Sequence, residues 1–122
     1  MDTQHGTWGE RVRLFQDDNS LHTILTLKPN KRCSWHKHAH AYNTFYVISG
    51  ELTVKTDVGP NDQRSYTTIR QGQSFTVKPG VMHEFQTKHM STIIYEVAYV
   101  KYDTRDIYRE LLGGDMVDVK RD

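Results

Sequence analysis

Apolar and polar residues alternate with a period of two along most of this chain, the spacing that sends successive side chains to opposite faces of a β-strand. Trp8 to Phe15 (WGERVRLF) sets Trp8, Glu10, Val12 and Leu14 against Gly9, Arg11 and Arg13, and reads as a half-buried strand. The cluster Asp17-Asp18-Asn19-Ser20 turns the chain, and Leu21 to Lys28 follows with Leu21, Leu25 and Leu27 on one face. Pro29-Asn30 closes that strand, and Arg32 to His38 forms the third. Asn43 to Ser49 is the fourth, with Asn43, Phe45 and Val47 on one side and Tyr46 and Ile48 on the other. A strand apolar on both faces is covered on both. One face lies inside a barrel, so the outer one points to a homodimer. Glu51–Asp57, Tyr66–Arg70, Ser74–Lys78, His83–Thr87 and Met90–Lys101 read as further strands, separated by turns at Gly59-Pro60-Asn61-Asp62, Gly72 and Pro79-Gly80. Roughly eight to ten short strands with evenly spaced turn signals predict an all-β sandwich or barrel. The tail alone reads as helix, N-capped by Asp103 or Thr104, with Ile107 and Leu111 one turn apart and Gly113-Gly114 as its stop. Residues 114–122 are charged and read as a fraying end.

Composition narrows the class. A chain of 122 residues is expected to form one domain, 1–122, large enough to bury a core without covalent staples. A hydrophobic share of only 36% leaves polar outer faces. The formal net charge of +1, with scattered Lys and Arg, gives no electrostatic footprint for nucleic acid. A single cysteine, Cys33, excludes an intrachain disulfide and fits a reducing compartment. The polar start MDTQHGTWGE carries no signal-peptide core, and the apolar run Thr92–Val100, interrupted by Glu96, is too short to span a bilayer. The expectation is a cytoplasmic protein that engages neither membrane nor nucleic acid.

Candidate chemistry concentrates in Ser34 to Gly50, SWHKHAHAYNTFYVISG. His36, His38 and His40 stand two residues apart, so one strand aims three imidazoles at one side, with Cys33, Trp35 and Lys37 facing away. Imidazole is the commonest protein ligand of divalent transition metals. Half the chain later GQSFTVKPGVMHEF carries His83, which a barrel can bring back opposite the cluster. A lone interior histidine is ordinarily a satisfied core residue, but three in alternation with a fourth across the barrel are poorly explained that way. His5, His22 and His89 fall outside the constellation and read as surface residues.

Both stretches resemble the paired motifs of the cupin superfamily. His36-Lys37-His38, four residues, Asn43, six residues and Gly50 match the first motif; Gly72, Pro79-Gly80 and His83 match the second. The resemblance implies a small double-stranded β-helix, or jelly roll, with metal ligands at His36, His38, Asn43 and His83. Trp8-Gly9, LTLKPN, the His38/His40 pair, VISG, GQSFTVKPGVMH, Tyr95-Glu96-Val97 and Asp106-Ile107-Tyr108-Arg109 are further similar to the cupin-type mannose-6-phosphate isomerase domain. The chain departs from these patterns where it carries Asn43 for a glutamate, His36 for a glutamine, and a charged tail.

These residues suit Mn, Fe, Ni or Zn as a divalent ion with open positions. Asn43 is a neutral and poorer donor than a carboxylate, and His40 stands either as its substitute or as an acid–base group at the rim. One reading is a sugar-phosphate aldose–ketose isomerase, with His40 or Glu96 moving the proton and Lys37, Arg70, Lys88 or Arg109 taking the phosphate. A three-histidine metal-dependent dioxygenase is a second enzyme class, favoured by Asn43. A non-enzymatic cupin that binds a small polar ligand is the third reading.

Overall fold

In a computed structural model of the chain, residues 2–57, 59, 63–99 and 107–116 are described. The strands are, in chain order, β1 (Thr3–Gly6), β2 (Gly9–Gln16), β3 (Ser20–Leu27), β4 (Lys31–Arg32), β5 (Trp35–Lys37), β6 (Tyr42–Ser49) and β7 (Glu51–Asp57). β8 (Arg64–Arg70), β9 (Ser74–Val77), β10 (His83–Gln86), β11 (Thr92–Tyr99), β12 (Tyr108–Leu111) and β13 (Gly114–Asp115) complete them. One antiparallel sheet runs β1-β2-β3-β11-β6-β9. In the other, β10 pairs with β7 on one side and with β4 and β5 on the other; β8 flanks β7, and β12 and β13 flank β5 and β4. The two faces enclose Leu25, Leu27, Phe45, Val47, Leu52, Val54, Ile69, Val77, Phe85 and Ile94, an all-β jelly-roll core.

Strict alternation explains most of this. β3 and β11 bury every second side chain along their length, so one register fits and a one-residue slip would turn the apolar set outward. At β2 the sequence reading is inverted: Gly9 and Arg11 pair with the buried Leu27 and Leu25 and face inward, while Leu14 is exposed. Two local causes explain the inversion. A Cβ on Gly9 would lie 2.0 Å from Thr26 O, so only glycine lets β2 come this close to β3. Arg11 is drawn in by an interior carboxylate, Glu96.

The expected third strand is interrupted. β4 and β5 lie along the same side of β10, but the register slips by one residue between the Arg32–Gln86 and His36–His83 pairs. The extra residue reverses facing, as a bulge does. Cys33 therefore packs against the core rather than away from it, while Ser34 keeps the His36 side that alternation gives it.

The C-terminal helix is not supported. Its proposed caps Asp103 and Thr104 lie outside the described residues, and Tyr108–Leu111 forms β12, paired antiparallel with β5. A helix of two or three turns gains little from its own hydrogen bonds, whereas the edge of β5 offers unpaired backbone groups that β12 satisfies. Among the described residues no helix is long and apolar enough to cross a membrane.

Candidate metal centre

Three of the sequence-selected histidines meet. His36 lies on β5, His38 just beyond its end and His83 at the start of β10, directly paired with His36. Their ring centroids are 4.4 Å (His36–His83), 5.1 Å (His36–His38) and 5.5 Å (His38–His83) apart. One ring nitrogen from each lies within 4.8 Å of the other two. Donors on bonds of about 2.1 Å lie about 3–4 Å apart, so the three rings must draw together slightly to share an ion. The cluster rests on Phe45 and Phe85, whose rings pack edge to face at 4.2 Å.

The hydrogen bonds around these rings fix their tautomers. His83 Nδ1 lies 3.0 Å from the carbonyl of Val81, so it carries the proton and donates. Its Nε2 is then a bare lone pair, and that atom is buried with no hydrogen-bond partner. His36 repeats the arrangement: Nδ1 donates to Ser34 O at 2.9 Å and contacts Ser34 Oγ at 2.8 Å. Loss of water around His83 lowers its pKa to about 4. Burial, followed by the neighbouring His83 and His38, holds His36 well below the ordinary histidine value. Both rings are therefore neutral at physiological pH, the form that ligates metal.

Asn43 and Glu96 also point into the barrel, one sheet across. Asn43 Nδ2 donates to Glu96 Oε2 at 2.7 Å, which leaves Asn43 Oδ1 as a second buried acceptor without a partner. Glu96 Oε1 accepts from Arg11 at 3.1 Å and from Thr23 Oγ1 at 3.4 Å. The interior carboxylate is thus neutralised by Arg11, which is how a buried charge avoids an uncompensated desolvation cost. The orphaned His83 Nε2, within reach of two other imidazole nitrogens, fits a divalent cation.

His40, expected to share the cluster's face, is exposed and outside the three-histidine group, because the chain leaves the strand after Lys37 and bends at residues 39–40. The sequence reading also missed the Arg11–Glu96–Asn43 chain of contacts. Its one signal was an arginine on a strand otherwise taken as apolar-in.

A cavity of about 260 Å³ opens beside the cluster, with His36, Ser34, Arg11, Glu96 and Arg109 on its wall and Trp8 and Phe85 among its apolar members. Cys33 lines it too, but burial pushes its thiol up to about 12, so it is no thiolate at neutral pH. Trp35 lies elsewhere, packed under Lys55 and Arg64 at 4.8 and 4.9 Å, as outer-face packing rather than a substrate platform.

The family model described as "Cupin domain" matches residues 23–94. No curated protein matches the chain in sequence. Among solved structures it is similar to the capsular polysaccharide assembling protein CapF of Staphylococcus aureus, with TM-score 0.79 and 14% identity over 90% of this chain and 31% of that one. Oxalate decarboxylase of Bacillus subtilis gives TM-score 0.76 and 16% identity over 89% of this chain and 30% of that one. KdgF from Halomonas sp. gives 0.69 and 13% over 84% and 89%. The chain spans about a third of the CapF and oxalate decarboxylase chains. At these identities the likeness is one of fold.

Proposed function

The chain belongs to the cupin domain family, and from that membership we propose that His36, His38 and His83 hold one divalent transition metal, with Asn43 Oδ1 as a fourth donor. The observation that carries this reading is the state of His83, whose Nδ1 is tied to a carbonyl while its Nε2 lone pair is buried and unused beside two other imidazoles. When bound, the ion supplies Lewis acidity and open coordination positions for an oxygen-bearing ligand. The donors are all neutral, so the ion keeps its full charge and favours ligands that bring negative charge to it. Mn, Fe, Ni and Zn all suit such donors.

Of the reactions open to this centre, oxidation of a small substrate by dioxygen on a three-histidine iron site fits these residues better than aldose–ketose isomerisation. Isomerisation needs a free base beside the substrate carbon. Glu96 is bound by Arg11, Thr23 and Asn43, so its role in our reading is to orient the Asn43 amide. His40 is exposed and is not one of the three clustered histidines. The exposed outer-face pair Tyr46 and Ile48 supports a homodimer, which light scattering tests.

The deciding experiment is elemental analysis of purified protein, followed by titration of the chelator-treated form with each metal and thermal melting. The expected result is about one metal per chain and a rise in melting temperature that His83→Ala abolishes. Protein that neither carries nor responds to any of the four ions overturns the reading. Oxygen uptake by the iron form, sugar-phosphate isomerisation by any form, or binding without turnover then separates the two enzymes from the non-enzymatic cupin.

A further inference from the structure

The second candidate ligand group lies on β12. Arg109 on β12 pairs directly with His36 on β5. Directly opposed residues of an antiparallel pair project to the same face, with Cα atoms about 4.5–5.5 Å apart. Arg109 Nε donates to Ser34 Oγ at 3.2 Å, and that hydroxyl in turn contacts His36 Nδ1 at 2.8 Å. Both Arg109 and His36 line the cavity of about 260 Å³ beside the cluster.

The charges on that wall are unequal. Arg11 is answered by Glu96 at 3.1 Å. Among the described residues lining the cavity, Arg109 has no carboxylate against it. A guanidinium has five donors in a planar fork, and the Ser34 contact engages one of them. The remaining wall is mixed: Leu25, Leu27, Ile107 and Leu112 join the two aromatic residues on one part, and Gln4 adds a polar group beside Ser34, His36 and Glu96.

We infer that Arg109 is an anion anchor and that the cavity takes a small organic carboxylate, its carboxylate on the Arg109 fork and its carbon skeleton against the apolar wall. The inference rests on the metal reading in one respect: a second oxygen of the same ligand, a few atoms from the carboxylate, faces the three-histidine centre. Among the described residues lining the cavity, Arg109 is the one cation without a carboxylate beside it, which matches a singly charged carboxylate and leaves a phosphate dianion half neutralised. The Leu25, Leu27, Ile107 and Leu112 part of the wall suits a short hydrocarbon skeleton, whereas a sugar laid there would leave hydroxyls without partners. The ligand class is thereby moved from sugar phosphates to small hydroxy or oxo acids.

The test uses Trp8, on the cavity wall, as a fluorescence reporter. The full chain is titrated with 2-hydroxy-3-methylbutyrate, 2-oxo-3-methylbutyrate, the amides of both acids and mannose 6-phosphate. Wild type, Arg109→Gln and Arg109→Lys are compared, each metal-loaded and chelator-treated, with folding checked by circular dichroism. At least one acid is expected to bind and its amide to bind at least tenfold more weakly. Arg109→Gln should raise the Kd of the acid tenfold or more, and Arg109→Lys less, because a lysine keeps the charge but not the fork. An Arg109 effect that persists in metal-free protein supports the anchor even where the metal reading fails. Binding by neither acid, equal binding of acid and amide, tighter binding of mannose 6-phosphate, or an unchanged Kd in Arg109→Gln overturns it.

Discussion

The Asn43 side chain donates from Nδ2 to Glu96 Oε2 at 2.7 Å, and its own Oδ1 lies buried without a hydrogen-bond partner. Because an ionised carboxylate only accepts, Glu96 decides which end of the amide is left over. Replacing Glu96 by Gln removes that bias: the new amide can donate to Oδ1 and occupy it. Glu96→Gln and Asn43→Ala are each expected to weaken metal binding about 10-fold or more, the usual scale for groups that orient or complete a ligand set. Competition against a fluorescent chelator measures this. Unchanged affinity in both variants would remove Asn43 from the donor set.

Burial of two neutral imidazoles makes the metal-free protein sensitive to acid. The folded chain depresses the pKa of His83 to about 4 and that of His36 in the same direction. Between the ordinary value of 6.5 and those lower values the unfolded chain takes up protons that the folded one refuses. Stability therefore rises with pH across that window: it is complete above 6.5 and lost as pH falls toward 4. Moving from about pH 7.5 to about pH 5 should remove roughly 2 kcal/mol through His83, with His36 acting in the same direction. Urea denaturation of chelator-treated protein at the two pH values reads this, and His83→Phe should lessen the slope. A flat profile, or greater stability in acid, would mean the rings are not held neutral.

The interior is legible in the sequence wherever the chain keeps its period of two. Alternation in β3 and β6 placed Leu25, Phe45 and Asn43 on inward faces from residue order alone, whereas the facing of Glu96 on β11 was left open until the structure buried it. The spacing of His36, His38 and His83 gave the cluster, because the first two share a strand face and the jelly roll returns the third opposite. Local events that break the period were hidden. One extra residue at Cys33-Ser34 reversed the facing of Cys33, and the bend after His38 took His40 away. Arg11 and the β12 segment were misread because their conformations are set by distant partners, Glu96 and the edge of β5, which no window of sequence contains.

Gly50, the glycine that closes the first motif, is held by its surroundings as well as its backbone. Its φ is +91°, and a Cβ there would lie 2.6 Å from Ser91 O and 2.7 Å from Thr92 Oγ1. Thr92 cannot give way, since it is fully buried and bonded to the Glu51 backbone. Gly80 has a similar φ of +83° but open space where the Cβ would go. Gly80→Ala should cost about 1–2 kcal/mol from backbone conformation alone, and Gly50→Ala clearly more, about 3 kcal/mol or above. Equal losses in denaturant unfolding would show that the close approach of Ser91 and Thr92 carries no weight.

Cys33 supplies a check on the strand interruption itself. Had β4 and β5 formed one regular strand, its side chain would face away from the histidines and meet solvent or the outer layer. Instead Phe85 N donates to Cys33 Sγ at 2.9 Å, and desolvation pushes the thiol up to about 12. The residue keeps some exposed surface, so geometric access and reactivity part company here: the thiolate is the reactive species, and almost none exists at neutral pH. Iodoacetamide at about pH 8 should label native protein at least 100-fold more slowly than urea-unfolded protein, followed by intact mass against time. Metal loading should leave the native rate low, since the thiol is not a ligand in this reading. Rapid labelling of the folded chain would place Cys33 on the outer face and restore the uninterrupted strand.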